Sequence, residues 1–492
     1  MELQRLMRRA EDFNAEVALE YYRNLAGLSE DFRLVEIVGR YPELFARTTY
    51  DAVMALQPDG IDERELKLLR YFLTTNLFTA ELKQLIEEKE KVEAALTVEH
   101  EGEQIPYRSV PLRNANQPDA VLRRELDCSA VEALETRLNP LYQRIFTRTF
   151  ELTQELGYPD YTTLTQELAE LRLEWLRELM LSFLRETAEL YRSLLADYAR
   201  KELRLSLDEL EQCDIGRLFR AEAFDPLFPQ ERMLPALVET LAGLGIDLER
   251  QPNVALDLER RPRKTPRAFC IGVRVPQDVR LVLTPIGGQA DYSTLFHEAG
   301  HLEFYAHMEP SLPFLYRHEG DTSVHECFAF LLQYLTTDPV WLADMLGARE
   351  AGEYVRFTRF NKLYLLRRYA AKLDYEYRFW RRLNLKAARQ AYSETLTGAL
   401  IFRCAAARAL ADFDEGYYVA KYLQAWLAEA SLRLRLRTEF GEDWYRRRAA
   451  GDLLRQLWRE GQKYSLQELL GQLNLPPLSY QPVLDDIRLH TA

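Results

Sequence analysis

Histidine is rare in this chain and unevenly distributed. Only seven of the 492 residues are histidine, and five of these lie between positions 297 and 325. Histidine binds transition metals and exchanges protons near neutral pH, so the local excess indicates a segment with chemical function. The segment contains His297-Glu298-Ala299-Gly300-His301, in which two histidines are four residues apart.

The spacing of this HExxH motif predicts a metal site on a helix. Residues four apart lie on one face of an α-helix, so the imidazoles of His297 and His301 can both reach one tetrahedral Zn²⁺ ion. Glu298 lies about 100° further round an ideal helix. We therefore expect Glu298 beside the metal, where its carboxylate can take a proton from a water molecule that the ion activates. The prediction is one zinc ion per chain.

A third protein ligand is needed, and His307 is the first candidate. It has the spacing of the HExxHxxGxxH pattern, in which a glycine ends the helix and the chain returns the last histidine to the metal. Phe304 occupies the glycine position here, and a bulky residue disfavours the left-handed conformation that glycine accepts. If the helix continues, His307 lies about 9 Å further along the axis and on another face. We therefore do not expect His307 to bind the metal.

Glu326 is the preferred third ligand. It lies 29 residues after His297, in an apolar segment with helical spacing, and a carboxylate completes the ligand set of many catalytic zinc sites. An alternative stays open, because Ser323 and Glu326 also have the spacing of a capping box, in which the glutamate only secures the start of a helix. Weaker candidates, expected to line the cleft or to support the ligands, are His318, Glu319 and His325.

The rest of the chain predicts a mainly α-helical body that positions this site. Apolar residues recur at three- and four-residue spacing, as between Leu66 and Leu77. Residues 98–118 contain two short extended runs around a Glu-Gly turn. Short β-branched runs separated by proline and glycine precede the HExxH helix, and Val279–Thr284 is the strongest predicted strand among them. The prediction is a bundle-like helical body with a small sheet beside the HExxH helix.

The amino-acid composition argues against several classes of partner and cellular location. The formal net charge is −13 and no basic tract is present, which argues against partners such as nucleic acid or an anionic membrane. No run of about 18 uncharged apolar residues occurs, and the charged N-terminal segment does not resemble a signal peptide. The five cysteines are far apart, so a cytoplasmic protein without disulfides is expected. We expect residues 1–215 to form an N-terminal helical region and residues 216–492 the catalytic region, within one continuous fold.

Three segments resemble the thimet oligopeptidase and oligopeptidase F family of zinc metallopeptidases: KTPRAF, PIGGQADYSTLFHEAGHLEFYAH and VHECFAFLLQYL. That family has a zinc-binding glutamate at the distance of Glu326 from HExxH. The resemblance, clearest over residues 260–430, implies an elongated body with a deep substrate channel, a zinc ion at its floor, and short peptides as substrates. It also implies that Val279–Thr284 is an edge strand that lies antiparallel to the bound peptide. Taq-type metallocarboxypeptidases are a related alternative.

The same family has a tyrosine motif, and ADFDEGYYVAKYL is similar to it. In the pattern H-x₆-Y-x-Y-x-Y, Tyr418 and Tyr422 match the first and last tyrosines, Ala420 replaces the middle one, and Ala411 occupies the histidine position. The resemblance implies that Tyr418 and Tyr422 join Glu298 as catalytic residues, since a tyrosine hydroxyl can donate a hydrogen bond to the oxyanion of the intermediate. Alternatively, both lie on an ordinary amphipathic helix. The missing histidine motivates a second hypothesis, a metal-binding, peptidase-like protein with weak or no catalysis.

Overall fold

The computed structural model describes residues 3–58 and 61–491 and shows a mainly α-helical chain with two small sheets. This confirms the predicted fold class. No helix in the described residues is both long and apolar enough to cross a membrane. The helices of the N-terminal region are α1 (Leu3–Leu25), α2 (Leu34–Gly39), α3 (Arg47–Met54), α4 (Glu63–Ala95), α5 (Val110–Asn116), α6 (Ala120–Ala133), α7 (Asn139–Glu155), α8 (Tyr161–Leu168), α9 (Leu173–Glu186) and α10 (Ala188–Tyr198).

The helices of the C-terminal region include α13, which contains the HExxH segment. They are α11 (Ile215–Arg220), α12 (Gln230–Gly243), α13 (Gln289–Ala306), α14 (Phe314–His318), α15 (Thr322–Gln333), α16 (Pro339–Leu346), α17 (Gly352–Arg381), α18 (Leu385–Leu400), α19 (Tyr418–Phe440), α20 (Arg448–Arg459), α21 (Leu466–Gln472) and α22 (Gln481–Thr491).

The first sheet is the hairpin expected from the sequence. Strands β1 (Thr97–His100) and β2 (Glu103–Pro106) are antiparallel, with Thr97 opposite Pro106. The turn residues Glu101 and Gly102 both have positive φ, 51° and 79°. A two-residue turn of this kind matches the natural twist of paired strands, and glycine adopts it without steric cost.

The second sheet lies beside α13 and corrects one expectation. Its strands are β3 (Val254–Asp257), β4 (Phe269–Arg274) and β5 (Asp278–Val282), in the order β3-β5-β4. The predicted strand Val279–Thr284 corresponds to β5, which ends at Val282 and is central, parallel to β3 and antiparallel to β4. The expectation of an edge strand there is wrong. The apolar run reflects burial of the strand on both faces, with Val279, Leu281 and Val282 fully buried, and such burial does not distinguish an edge strand from a central one.

The two largest hydrophobic clusters contain most of the buried apolar residues. The larger one runs from α7 to α22 and includes residues on both sides of position 215. The smaller one joins α1 to α4, and Phe314 and Leu315 of α14 pack into it. The long helix α4 is capped by Asp62, whose side chain accepts a hydrogen bond from the backbone nitrogen of Glu65. A boundary between two regions at residue 215 stays a prediction from the sequence.

Helices α13 and α15 pack at unusually close range. A Cβ atom added to Gly300 of α13 would lie 2.5 Å from Cα of Ala329 and 2.7 Å from the carbonyl oxygen of Phe328, both in α15. Real Cβ atoms do not approach backbone so closely, so any larger side chain at position 300 would separate the helices. Close packing against α15 therefore requires glycine at position 300, the second variable position of the HExxH motif.

Candidate metal centre

Helix α13 presents the HExxH residues as one unbroken helical face. It begins after Gly288, and the carboxylate of Asp291 in its first turn accepts hydrogen bonds from the backbone nitrogens of Ile286 and Gly287 at 2.6 and 3.0 Å. The helix continues through Phe304 to Ala306. The chain therefore does not turn back at Phe304, as the alternative with His307 as ligand would need.

Three side chains from α13 and α15 converge. Nε2 of His297 lies 3.5 Å from Oε2 of Glu326, and Nε2 of His301 lies 3.7 Å from the same oxygen. One potential ligand atom from each residue lies within 4.8 Å of the other two. The imidazole rings are nearly perpendicular, with centroids 4.8 Å apart. The structure thus brings together the three residues that the sequence suggested as metal ligands.

The second ring nitrogen of each histidine also has a partner. Nδ1 of His297 lies 2.9 Å from Oε1 of Gln333, whose amide nitrogen donates to Oγ of Ser293 at 3.0 Å. Nδ1 of His301 lies 3.2 Å from Nδ1 of His325. Because an amide oxygen only accepts hydrogen bonds, the proton of neutral His297 is on Nδ1. Its Nε2 then keeps a lone pair directed at the cluster, as in many metal-binding histidines.

Glu326 is almost fully buried, and only one of its oxygens has a hydrogen-bond donor. Oε1 accepts a hydrogen bond from the hydroxyl of Tyr418, whereas the buried Oε2 has no donor among the described residues. Helix α15 is capped by Asp321, whose carboxylate accepts from the backbone nitrogen of Ser323 at 2.9 Å. Since Asp321 performs the capping, the alternative of a capping box with Glu326 does not hold. The free oxygen of Glu326 instead faces the two histidines.

Glu298 lies beside the cluster and contacts the small sheet. Its Oε2 accepts a hydrogen bond of 2.7 Å from the backbone nitrogen of Cys270 in β4, one of the two edge strands of the sheet. Burial raises the pKa of Glu298 to about 7, the charge of Glu326 adds to the rise, and the Cys270 hydrogen bond opposes it. A carboxyl group with such a pKa can both accept and return a proton near neutrality.

Burial also controls the protonation of the three clustered residues. It lowers the pKa of His297 to about 4 and that of His301 well below its usual 6.5. Burial raises the pKa of Glu326 to about 7, against the effect of the hydrogen bond from Tyr418. Both histidines are therefore neutral at pH 7, which is the form that binds metal ions. A cation beside Glu326 would favour its charged form.

The tyrosine motif lies at the start of α19, after an unusual turn. Gly416 and Tyr417 both adopt the left-handed conformation, with φ of 58° and 56°, and this is uncommon for any residue other than glycine. The turn places Tyr418 against Glu326. Tyr422, one turn later, packs its ring 4.8 Å from that of Tyr418. The burial of both phenols raises their pKa values, so both remain hydrogen-bond donors at neutral pH.

The weaker candidates lie outside the three-residue cluster. His307 follows the last residue of α13, and its ring packs 5.4 Å from that of Trp458. His318 and Glu319 lie at the end of α14 and are not among the clustered ligands. His325 contacts the cluster through the neighbouring histidine ring nitrogen. Its place fits the supporting role expected for it.

Four contributors to the site were missed from the sequence. Gln333 and Ser293 hold one histidine, and the backbone of Cys270 holds Glu298. Gln333 lies seven residues after Glu326, which is two turns of α15, so helical spacing could have placed it on the same face. Tyr305 lies one turn after the motif, with its ring 6.2 Å from that of the second histidine. The Cys270 contact depends on strand order, for which the sequence has no local signal.

The donor set fits a transition-metal ion. Two imidazole nitrogens and one carboxylate oxygen would supply three ligands of a four-coordinate ion and leave its fourth position for water or substrate. The buried Oε2 of Glu326 has no hydrogen-bond donor in the described residues, and leaving such an atom without any partner is costly. A bound cation would satisfy it.

Comparison with known proteins identifies the fold. No protein-family model and no curated protein sequence matches the chain. A crystal structure described as a "putative oligoendopeptidase F" from Bacillus anthracis str. Ames superimposes with a TM-score of 0.60. The match covers 97% of this chain and 84% of that one, with 15% sequence identity. The chain therefore shares its overall fold with that protein.

Proposed function

We propose that this protein is a zinc-dependent metallopeptidase that hydrolyses peptide bonds in short peptides. The observation that carries the proposal is the convergence of His297, His301 and Glu326 with a buried carboxylate, Glu298, beside them. The fold shared with the Bacillus anthracis structure supports it. The five cysteines, all free, suit a reducing cytoplasm, which we propose as the location.

Zinc is the metal that this ligand set favours. Nε2 of His297, Nε2 of His301 and Oε2 of Glu326 would hold one ion per chain. Magnesium and calcium prefer all-oxygen ligand sets, whereas imidazole nitrogens suit zinc. When bound, zinc lowers the pKa of water and polarises the carbonyl group of a peptide bond.

Glu298 is the proposed proton carrier. It takes a proton from the attacking water, whose oxygen forms a bond to the carbonyl carbon of the substrate. It then gives this proton to the amide nitrogen as the C–N bond breaks. The products are a carboxylic acid and an amine, and the acid proton passes to the amine to leave a carboxylate and an ammonium group. The hydrogen bond from Cys270 holds one carboxylate oxygen, which leaves the other free for proton transfer.

Tyr418 and Tyr422 are the proposed donors to the oxyanion. The hydroxyl of Tyr418 lies beside the cluster and donates its single proton to Glu326, a hydrogen bond that it would exchange for one to the oxyanion. The ring of Tyr422 packs against that of Tyr418. A hydroxyl donor of this kind stabilises the negative charge that develops on the carbonyl oxygen. Alanine, at Ala411, occupies the position where the family pattern has a histidine. Stabilisation of the oxyanion by side chains would therefore depend on these two phenols.

The proposal is tested by measuring metal content and cleavage together. Purified protein should contain about one zinc per chain and cut a library of short peptides, with products identified by mass spectrometry. A chelator should abolish cleavage, and zinc should restore it. Protein that regains no zinc would refute the metal site. Protein that binds zinc but cuts no peptide would favour the hypothesis of a peptidase-like binding protein.

A further inference from the structure

A cationic cavity lies next to the first turns of α19, outside the three-residue cluster. Its volume is about 120 Å³, roughly four times the share of one water molecule in the liquid. It is bounded by α4, the segment before α9, the loop before α15, α19, and residues 462–478. Its charged lining residues are Arg64, Lys67, Arg172, Lys421 and Lys463, together with Glu170, Glu319 and Asp321.

The acidic residues of the lining neutralise only part of its positive charge. Glu170 pairs with Lys67 at 2.6 Å. The carboxylate of Asp321 accepts hydrogen bonds from two backbone nitrogens, at 2.9 and 2.8 Å. Glu319 accepts from an asparagine amide of α1. The cations that make no ion pair with any described residue are Arg172, Lys421 and Lys463.

Lys421 connects this cavity with the candidate metal centre. Its Nζ lies 5.9 Å from the ring centroid of Tyr71, which lines the cavity, and 5.9 Å from that of Tyr418. Tyr418 in turn donates its hydroxyl hydrogen bond to Glu326. Only one tyrosine ring therefore separates the ammonium group from a proposed metal ligand.

We propose that this cavity binds the C-terminal carboxylate of the peptide substrate, so that the enzyme trims short peptides from the C-terminal end. The inference rests on the function proposed above. Three unpaired cations provide the charge for one carboxylate, and the apolar part of the wall, formed by Leu68, Leu171, Trp175 and Leu478, suits the last side chain. An extended peptide spans about 3.5 Å per residue, so an anchor this close to Glu326 places the cut within the last few residues.

The test compares one short peptide with a free C-terminal carboxylate and the same peptide as a C-terminal amide. Wild-type protein should cut the free acid with a kcat/KM about 10–100 times higher, since hydrogen bonds to charged groups contribute strongly. In Lys421→Gln this ratio should fall towards one through a higher KM for the acid, while Lys421→Arg should keep most of it. Lys386→Gln, a change at an exposed lysine of α18, is the matched control and should behave as wild type.

A binding measurement separates recognition from catalysis. In Glu298→Gln, which should turn over at least about 100-fold more slowly, the free acid should bind about 10–100 times more tightly than the amide. If Lys421→Gln fails to fold, the double change Arg172→Gln and Lys463→Gln makes the same test from the other side of the cavity. Mass spectrometry should show products shortened from the C-terminus.

The outcomes distinguish this inference from the proposed function. Equal cleavage of acid and amide, with cuts in the middle of the peptide, would overturn the carboxylate site and leave the peptidase standing. No cleavage of either peptide by zinc-loaded protein would instead refute the peptidase. Inorganic phosphate should compete with the free acid. Phosphate that changes kcat without competing would mean that the cavity binds a separate anion, and the inference would fail.

Discussion

Replacing Glu298 by glutamine isolates proton transfer from metal binding. The glutamine side chain has the same length, and its amide oxygen can keep the 2.7 Å hydrogen bond from the backbone of Cys270. The amide cannot accept a proton from water. His297, His301 and Glu326 are untouched, so zinc content and peptide affinity should stay near wild type.

The expected loss of activity follows from the role of a general base. Such assistance contributes about 10²–10⁴-fold, which corresponds to about 2.7–5.5 kcal/mol in the activation barrier. A quenched-fluorescence peptide would report kcat/KM, and elemental analysis would report zinc per chain. Glu350→Gln, at an exposed glutamate before α17, is the matched control and should retain full activity.

Two results would refute this reasoning. Loss of zinc in Glu298→Gln would mean that Glu298 is itself a ligand, contrary to its contact with β4. Unchanged hydrolysis would mean that another group takes the proton, or that the activity comes from a contaminant.

Three further predictions follow from the same geometry. Glu326→Ala should lower zinc affinity by at least about 100-fold, while His307→Gln should leave it unchanged. Competition with a chromogenic chelator measures both affinities. A large loss in His307→Gln and none in Glu326→Ala would instead favour His307 as the third ligand. Tyr418→Phe should weaken zinc binding about 10-fold and still turn over about 10²–10³-fold more slowly at saturating zinc; wild-type turnover would exclude an oxyanion role. Burial lowers the pKa of His318 to about 3. Below about pH 6.5 the unfolded chain gains a proton at this histidine and the folded chain does not, so the free energy of unfolding should fall as the pH drops from about 6.5 to 3. In urea unfolding, His318→Gln should reduce the slope of this free energy against pH by up to about 1.4 kcal/mol per pH unit. An unchanged slope would contradict the prediction.

The sequence predicted the local parts of this protein better than its long-range contacts. The HExxH spacing is a property of one helix, and α13 presents it as expected. The separation of 29 residues between His297 and Glu326 indicated Glu326 as the third ligand. The structure places Glu326 on a second regular helix, α15, that faces α13. The capping box was ambiguous, since Asp321 and Ser323 are both good caps and only the structure shows which one acts.

What the sequence could not provide was the order of the strands and the contacts that depend on it. The apolar run at β5 was the strongest strand signal, but the same signal fits an edge or a central position. The edge strand that contacts Glu298, β4, contains Cys270 and Gly272 and has a weaker pattern. The backbone group that orients Glu298 therefore lies on a strand that the sequence did not single out.

The absence of a side chain at Gly300 couples the metal centre to the mechanics of the core. The two histidines and the glutamate lie on different helices, and the gap between those helices is set by direct contact of Gly300 with the backbone around Ala329. Any motion of α15 relative to α13 changes the distance between the nitrogen and oxygen ligands. Substitutions on α19 where it packs against α15, outside the two helices that hold the three residues, should therefore alter how tightly the proposed ion is held. The affinity for the proposed ion would therefore report how well these helices are packed.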